Sequence, residues 1–211
     1  IGVKKDGTIT AVQEKAVLEG GAYSSFGVVA TYYAGAMVPT LYRLPAFKYD
    51  GVRVYTNTPA CGAMRGHGCP HPRFAFESTL DMLAADLGID PIEIRRRNAM
   101  GPEQRTVNGL DVHSCELLAC LDTVHKRSGW AEKHGKLPHG KGIGIGCGGF
   151  VSGAGYAINR DEHAAPHSSA VVRVSEDGMT ATLLSGDCDI GQGSDTVLCQ
   201  IAAEAMGISY E

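Results

Sequence analysis

Apolar residues recur at helical spacing in the middle of the chain. Four of them lie on one face of a helix predicted over residues 74–87, and Gly88 ends this helix. These are Phe76, Leu80, Leu83 and Leu87. This is the strongest periodic signal in the sequence, and it predicts a helix that packs on a core.

Two shorter helices are predicted to follow. Asp90 and Pro91 form a helix cap and a first-position proline, which opens the second helix. Three arginines, Arg95, Arg96 and Arg97, come at its end, and we expect them to face solvent and complement the helix dipole. The third helix is predicted over residues 114–128, with Leu117, Leu121 and Val124 on one side.

Alternating apolar and polar positions predict strands at both ends of the chain. Residues 1–3 and 8–12 favour strand–turn–strand, and residues 169–174 and 180–184 favour a hairpin. A last helix over residues 195–206 is expected to bury one apolar side, made of Leu198, Ile201, Ala202 and Ala205. Helices and hairpins are mixed and do not alternate in βαβ units, so the predicted class is α+β.

The charge of the chain differs between its first 150 residues and the remainder. The net charge is −4, which disfavours a nucleic-acid partner. After residue 150 only Arg160 and Arg173 are basic, whereas nine residues are acidic. A polar stretch at residues 132–141 coincides with this shift, so we predict one domain over 1–131, a linker over 132–141 and a second domain over 142–211. No apolar run approaches the roughly 20 residues of a membrane span.

Seven cysteines are spread through the chain, and no basic and apolar secretion signal precedes them. Reduced thiols and a cytoplasmic location are therefore expected. The spacing of Cys61, His67, Cys69 and His71 does not fit structural zinc, so no metal site is predicted. The chain opens on Ile1 in the middle of a strand pattern, and we expect it to be a segment of a longer polypeptide.

Two glycine-rich loops each precede a helix, at residues 57–68 and 186–194. Glycine lets the main chain approach a ligand closely, and helix N-termini attract anions, so a phosphate-bearing cofactor between the loops is the prediction. A third glycine-rich stretch, residues 144–149, matches a dinucleotide pattern but precedes no helix. It is interpreted instead as a strand packed against a close neighbour.

Residues 62–68, with the helix and the stretch 88–98 that follow, resemble the molybdenum-binding large subunit of the xanthine oxidase family. Residues 189–194 are similar to that family's pterin-contacting segment. His67 stands where purine oxidases usually carry phenylalanine, and Tyr33 lies near the position of their substrate-binding arginine. A purine substrate is therefore disfavoured. Within the family, residues 65–68 and 150–155 are most similar to the large subunit of 4-hydroxybenzoyl-CoA reductase.

The resemblance implies a role for each matching residue. The main chain at Met64, Arg65 and Gly66 would lie against the molybdenum ligands, and His67 and Tyr33 would border the substrate. The pterin and its phosphate would be contacted by a second group, Ile190, Gly191, Gln192 and Gly193. The family's catalytic glutamate belongs to a later segment, so no catalytic residue is assigned and the segment is expected to be inactive alone.

The implied cofactor is molybdopterin cytosine dinucleotide with molybdenum, and the implied partners are iron–sulfur and FAD subunits that accept electrons. The reaction would be reductive dehydroxylation of an aromatic CoA thioester. Two alternatives stay open at this point: hydroxylation of an N-heterocycle or aldehyde, and a non-catalytic scaffold.

Overall fold

The computed structural model describes residues 1–25, 27–150 and 169–210. They form two compact units, one made of residues 1–150 and the other of residues 169–210. Both mix helices with strands, which agrees with the predicted α+β class. The first unit extends beyond the predicted linker at 132–141, because residues 142–150 pack with it. The predicted domain limits therefore remain a proposal.

A three-stranded sheet forms one side of the first unit. Its strands are β1 (Gly2–Val3), β2 (Ile9–Glu19) and β3 (Phe47–Val54). The expected strand–turn–strand at the start is present, with β1 antiparallel to β2. β3 runs parallel to β2, from Val12 opposite Phe47 to Glu19 opposite Val54. A parallel pair needs a crossover, and helix α1 (Gly27–Ala36) supplies it.

This single βαβ unit is not evident from the sequence pattern. Helix α1 is difficult to predict from its sequence, because its apolar and small residues show no clear polar face. Helix α1 packs closely on β3 because residue 35 is a glycine. A Cβ at Gly35 would overlap the ring of Tyr49 on β3. The Tyr49 hydroxyl donates to the Thr31 carbonyl at 2.9 Å. Helix and strand are thus joined by direct contact as well as by the chain.

The predicted central helix is confirmed as α2 (Pro70–Leu87), and Gly88 ends it in a left-handed conformation. It begins four residues earlier than predicted, because Pro70 occupies the first helical position. Phe76 and Leu80 are buried in the core beside Ile9, Val12 and other apolar residues. The second predicted helix is α3 (Pro91–Asn98), where the Asp90 carboxylate caps the N–H of Ile92 and Glu93.

The three arginines of α3 do not form a solvated run, and that expectation is wrong for Arg95. Its side chain is fully buried. It donates to Glu77 Oε2 at 2.8 Å and to Asp81 Oδ1 at 2.7 Å, both on α2. Only the other two arginines lie nearer the surface, Arg96 paired with Asp122 and Arg97 with Glu93. Helical spacing turns successive residues to different sides, so one residue of the run points inward.

Glu77 is the centre of a buried polar cluster. Besides Arg95, its carboxylate accepts from the Tyr42 hydroxyl at 2.7 Å and from the Cys147 N–H at 3.1 Å. Burial acts to lower the pKa of Arg95, but the charge of Glu77 and the hydrogen bonds to Glu77 and Asp81 together outweigh it and raise that pKa. Arg95 is therefore a permanent cation, and the cluster joins α2 and α3 to the glycine-rich stretch.

The third predicted helix is α4 (Leu117–Ser128), followed by the single turn α5 (Trp130–Lys133). Leu121 is buried with Trp130 and Ile92, whereas Val124 is exposed. Between α3 and α4 lies a two-residue antiparallel ribbon, β4 (Gln104–Arg105) with β5 (Asp111–Val112). Residues 142–150 form no strand, which corrects the expectation for residues 144–149.

This glycine-rich segment contains no helix or strand. Ile143, Ile145 and Cys147 pack against the two apolar clusters of the first unit. Gly144, Gly146 and Gly148 do not mark a close approach, because a Cβ at any of them would meet no described neighbour within 4 Å. Alternate side chains, rather than the glycines, hold the segment in place.

The second unit contains the predicted hairpin, β6 (Ala170–Val174) and β7 (Ala181–Ser185), and the predicted last helix, α6 (Ser194–Met206). The buried side of α6 differs from the prediction. Among residues 169–210 only Ala203 is buried, Leu198 and Ala202 are half-buried, and Ile201 and Ala205 are exposed. The short hairpin covers only one strip of the helix.

Candidate functional site

The first glycine-rich loop joins β3 to α2, over residues 55–69. Its beginning is attached to the turn after β2 by four backbone hydrogen bonds. They are Gly20 N–H to Val54 O (2.8 Å), Thr56 N–H to Gly21 O (3.1 Å), Ala22 N–H to Thr58 O (3.0 Å) and Cys61 N–H to Gly20 O (3.2 Å). The guanidinium of Arg53 also donates to Gly20 O at 2.7 Å. The loop therefore leaves the sheet in a defined direction.

The end of the loop is held by glycine. Gly66, His67 and Gly68 have φ angles of +88°, +27° and +81°, all in the left-handed region. A Cβ at Gly68 would overlap the carbonyl oxygen of Ala30 on α1. Only glycine permits this contact without strain, and it brings the loop against the helix.

This contact explains why His67 meets Tyr33. Tyr33 follows Ala30 by three residues and so lies on the same side of α1. Its ring centroid is 5.1 Å from that of His67, with the planes tilted by 34°. The ring of Phe150 lies on Tyr33 as well, at 5.8 Å between centroids. Tyr33 and His67, which the resemblance places beside the substrate, therefore lie in contact, and Phe150 joins them.

Burial lowers the pKa of His67 below its ordinary value. At neutral pH the imidazole is therefore uncharged, with one ring nitrogen donating and the other accepting. The neighbouring Cys69 is buried, and burial raises the pKa of its thiol to about 11, against the opposing charge of Arg73. Cys69 is thus a structural thiol and not a nucleophile.

The most exposed part of this loop precedes His67. Within the described parts of the chain, nothing accepts a hydrogen bond from the N–H groups of Met64, Arg65 or Gly66. The Arg65 side chain is exposed and has no ion pair among those residues. Three successive unpaired amides beside a free guanidinium are suited to an anionic or strongly polar ligand.

The second loop, residues 186–193, keeps its shape through its own side chains. Gln192 accepts from the Ile190 N–H at 2.7 Å and donates to Cys188 O and Ser194 Oγ, each at 3.0 Å. Gly191 and Gly193 have φ angles of +99° and +80°. The side chain of Gln192 is thus directed at its own loop, and the loop itself is exposed.

Asp189 precedes α6, whose first residue is Ser194, and its carboxylate is turned towards the N–H groups at the start of that helix. Its carboxylate accepts from the Gly191 N–H at 2.7 Å. The backbone N–H of Gly191, helped by those of residues 193–195, holds the pKa of Asp189 below its ordinary value, although burial opposes the shift. A carboxylate already lies at the helix end that was predicted to attract an anion, so a bound phosphate would compete with it.

The predicted cofactor residues Met64, Arg65 and Gly66 belong to the first unit. The others, Ile190–Gly193, belong to the second unit, and their joint use remains a prediction. The resemblance noted for residues 151–155 falls outside the described residues. Among the described residues, no group of three or more His, Cys, Asp or Glu side chains is arranged to hold a metal ion. None of the described helices has the length and apolar character needed to cross a membrane.

Sequence reasoning did not single out Phe150 as a site residue, nor Glu77 as its support. Phe150 shows no periodic signal, since it follows a glycine-rich stretch without secondary structure. Glu77 lies between the core residues Phe76 and Leu80, at a position that the apolar pattern does not assign to the core. Its role is evident only from its ion pair with the buried Arg95.

Comparison with known protein families finds two matches along the chain. Residues 1–99 match one model of a molybdopterin cofactor-binding domain, and residues 123–211 match a second model with the same description. The two matches are consecutive and cover most of the sequence.

Three curated relatives match nearly the whole chain. A putative xanthine dehydrogenase molybdenum-binding subunit of Escherichia coli is 35% identical over 99% of this chain and 28% of its own length. An aldehyde oxidoreductase of Megalodesulfovibrio gigas is 32% identical over 99% of this chain and 23% of its own length. The nicotine 6-hydroxylase large subunit of Paenarthrobacter nicotinovorans is 32% identical over 98% of this chain and 27% of its own length. The chain thus spans about a quarter of the length of these relatives.

Solved structures agree with the fold. The aldehyde oxidoreductase from Desulfovibrio gigas superposes with a TM-score of 0.76 at 28% identity, over 97% of this chain and 22% of that chain. Quinoline 2-oxidoreductase from Pseudomonas putida superposes with a TM-score of 0.74 at 24% identity, over 98% and 28% of the two chains.

Proposed function

Because this chain belongs to the molybdopterin cofactor-binding domains of the xanthine oxidase family large subunit, we propose that it forms part of the cofactor and substrate pocket of a molybdenum hydroxylase. The relatives named above are a xanthine dehydrogenase subunit, an aldehyde oxidoreductase and a nicotine hydroxylase subunit. They favour hydroxylation of an N-heterocycle or an aldehyde. The expected resemblance to 4-hydroxybenzoyl-CoA reductase receives no support from them.

One observation carries the proposal. Among the described residues, the amides of Met64, Arg65 and Gly66 have no hydrogen-bond acceptor, and they directly precede His67, whose ring contacts Tyr33. Polar donors beside an apolar wall are what a reacting centre and a flat substrate each require. These residues therefore fit a cofactor bearing a polar, negatively charged group.

Each residue then has a proposed task. Met64, Arg65 and Gly66 donate hydrogen bonds from the main chain to the cofactor, and Gly68 keeps them in position through its contact with Ala30. Tyr33 and His67 orient the substrate. The neutral His67 ring can hold a proton donor or acceptor of the substrate without adding charge.

The second loop is proposed to bind the pterin through Ile190, Gly191, Gln192 and Gly193. Because Gln192 and Asp189 already shape this loop, its amides are held before the ligand arrives, which lowers the entropy lost on binding. Asp189 disfavours a phosphate at the helix end itself. We therefore assign Gly191 and Gly193 to main-chain approach and not to charge neutralisation.

The bound molybdenum cofactor, proposed to be the cytosine dinucleotide form, supplies the redox chemistry. Iron–sulfur and FAD subunits are proposed to take up the electrons, and a cytoplasmic location follows from the expectation of reduced thiols. The chain's own contribution is to bind, to orient and to exclude water.

Metal analysis and pterin extraction of the full-length complex test the proposal. We expect molybdenum and pterin in equal amounts, and turnover of quinoline, nicotinate or an aldehyde in preference to 4-hydroxybenzoyl-CoA. A complex that contains neither molybdenum nor pterin contradicts the proposal. A preference for the CoA thioester would instead assign the reductase activity to the complex.

Gln192→Ala in the full-length subunit separates a cofactor role from a scaffold role. The substitution removes the hydrogen bonds to Ile190, Cys188 and Ser194 and loosens the loop. We expect the pterin content to fall at least severalfold. Gln200→Ala, an exposed position on α6, is the matched control and should retain the cofactor. Undiminished pterin in both variants favours the scaffold.

A further inference from the structure

Arg53, on β3, contacts both the turn after β2 and the first glycine-rich loop through one nitrogen of its guanidinium. Nη2 donates to Gly20 O at 2.7 Å and to Tyr23 O at 3.3 Å, and it lies 3.8 Å from the sulfur of Cys61. Gly20 and Tyr23 belong to the turn, whereas Cys61 belongs to the loop over residues 55–69. A single cation thus joins two segments that are far apart in sequence.

Two glycines leave the space that this guanidinium occupies. A Cβ at Gly20 would lie 2.9 Å from Nε of Arg53, and a Cβ at Gly27, the first residue of α1, would lie 2.8 Å from Nη2. Both distances are too short, so a larger residue at either position would displace the guanidinium. The Nε–H is buried and has no acceptor among the described residues. Because an unpaired buried donor is costly, the contacts of Nη2 must outweigh that cost.

Cys61 is, among the described residues, the last one before residues 64–66 whose N–H is hydrogen-bonded. Its N–H donates to Gly20 O at 3.2 Å, and its thiol donates to Glu19 O at 2.8 Å. Arg53 donates to the same oxygen of Gly20, so it fixes the acceptor to which Cys61 is bound. The arginine therefore determines where the unpaired amides of residues 64–66 begin.

Both ends of this part of the loop are fixed relative to the first turn of α1. On one side Arg53 contacts Gly27, and on the other side Gly68 contacts Ala30. Gly27 and Ala30 are three residues apart in the helix and so lie on the same side of it. A segment fixed at both ends loses little entropy on binding, because its amides already point in defined directions.

We propose that Arg53 is a positioning residue for the cofactor, which fixes Cys61 and thereby the direction of the amides at residues 64–66. This inference rests on the proposed function and adds a residue of β3 that does not itself touch the ligand. Its effect is on geometry and not on stability. When Arg53 is replaced by Met, Gly20 O still accepts from the Cys61 N–H, and the unpaired Nε–H is removed.

Three measurements on the full-length complex test the inference. They are the pterin content, the electron paramagnetic resonance spectrum of the partly reduced molybdenum, and the urea concentration at half-unfolding. For Arg53→Met we expect severalfold less pterin than in the wild type, an altered spectrum of the molybdenum that remains bound, and an unchanged urea midpoint. A purely structural role would lower the midpoint and the yield but leave the spectrum of the bound molybdenum unchanged.

Arg43→Met is the matched control, because Arg43 also donates through Nη2 to a main-chain carbonyl, that of Arg97, at 2.6 Å. It lies outside the loop, so pterin content and spectrum should be those of the wild type. Arg53→Lys keeps the charge but lacks the planar guanidinium, so its spectrum should change as well. If Arg53→Met does not fold, Arg53→Lys decides the question.

A wild-type spectrum in the deciding variant overturns the inference, whatever its pterin content. The proposed function still stands in that case, because the wild-type complex contains molybdenum. Absence of molybdenum and pterin from the wild type would instead remove the proposed function and this inference together.

Discussion

Gly68 and Gly193 have almost the same backbone conformation, with φ angles of +81° and +80°, but their surroundings are opposite. A Cβ at Gly68 would overlap the carbonyl of Ala30, whereas a Cβ at Gly193 would find no atom within 4 Å. The first glycine is required by a neighbouring helix, and the second only by the turn itself.

The same contrast holds for the two loops as a whole. The loop over residues 55–69 takes its shape from β2, α1 and the turn at Gly20, which are distant in sequence. The loop over residues 186–193 takes its shape from Gln192 and Asp189, two of its own side chains. A change far along the chain should therefore disturb the first loop but not the second.

The largest effect is expected for Arg95→Met, which tests whether the first unit depends on its buried ion cluster. The substitution leaves the Glu77 carboxylate buried without its cation. We expect a loss of about 3–5 kcal/mol in the free energy of unfolding, measured with urea. The hydrogen bond that holds Cys147 should weaken with it, because both depend on the position of Glu77.

Arg97→Met is the matched control from the same run of three arginines. Arg97 pairs with Glu93 at the surface, and such pairs contribute roughly 0–1 kcal/mol. Similar losses in the two variants would contradict the central role assigned to the buried cluster.

Gly68→Ala and Gly193→Ala compare the two loops directly. Both variants place a Cβ at a left-handed residue, which costs about 1–2 kcal/mol. Gly68→Ala adds the overlap with Ala30, so its loss of unfolding free energy should be about 2–4 kcal/mol. Urea unfolding of both variants measures the difference, and equal losses would show that the contact between the loop and α1 does not constrain Gly68.

Local signals in the sequence were sufficient for much of the fold. Helix α2, the Asp90 cap of α3 and the β6–β7 hairpin each depend on residues close in sequence, and each is confirmed. Helix α1 was missed because its contact with β3 depends on Gly35 and Tyr49, which lie far apart in sequence. Arg95 was misplaced for a similar reason, since its buried partner Glu77 belongs to another helix.

In the candidate site, too, local features could be predicted from the sequence and tertiary contacts could not. The two glycine-rich loops were recognisable from composition and spacing, but the contact between His67 and Tyr33 depends on Gly68 meeting Ala30. Phe150 contacts Tyr33 from a segment whose Cys147 N–H donates to Glu77 on another helix. Side chains brought together by tertiary contacts leave no periodic pattern, so sequence spacing alone does not identify them.

Two carboxylates, one in each unit, have pKa shifts of opposite sign. Burial raises the pKa of Glu14 on β2 to about 7, although Arg73 opposes the shift. The folded state therefore binds a proton more readily than the unfolded chain, and stability falls as pH rises from about 4.5 to about 7. Glu14→Gln should remove this dependence and raise the unfolding free energy at pH 7.5 by about 1 kcal/mol, allowing for screening of the half-exposed side chain. Urea unfolding at pH 5.0 and pH 7.5 measures it.

The smallest effect is expected for Asp189, whose shift has the opposite sign. Backbone N–H groups, first that of Gly191, lower its pKa below the ordinary 3.8. The folded state therefore releases the proton more readily, and the stabilisation is present above pH 3.8 and lost as pH falls further. Asp189→Asn should destabilise the second unit slightly at pH 7 and not at pH 2, by less than the change expected for Glu14→Gln. Hydrogen exchange of the α6 amides at the two pH values tests this, since an effect that persists at pH 2 would come from the shape of the loop and not from the charge.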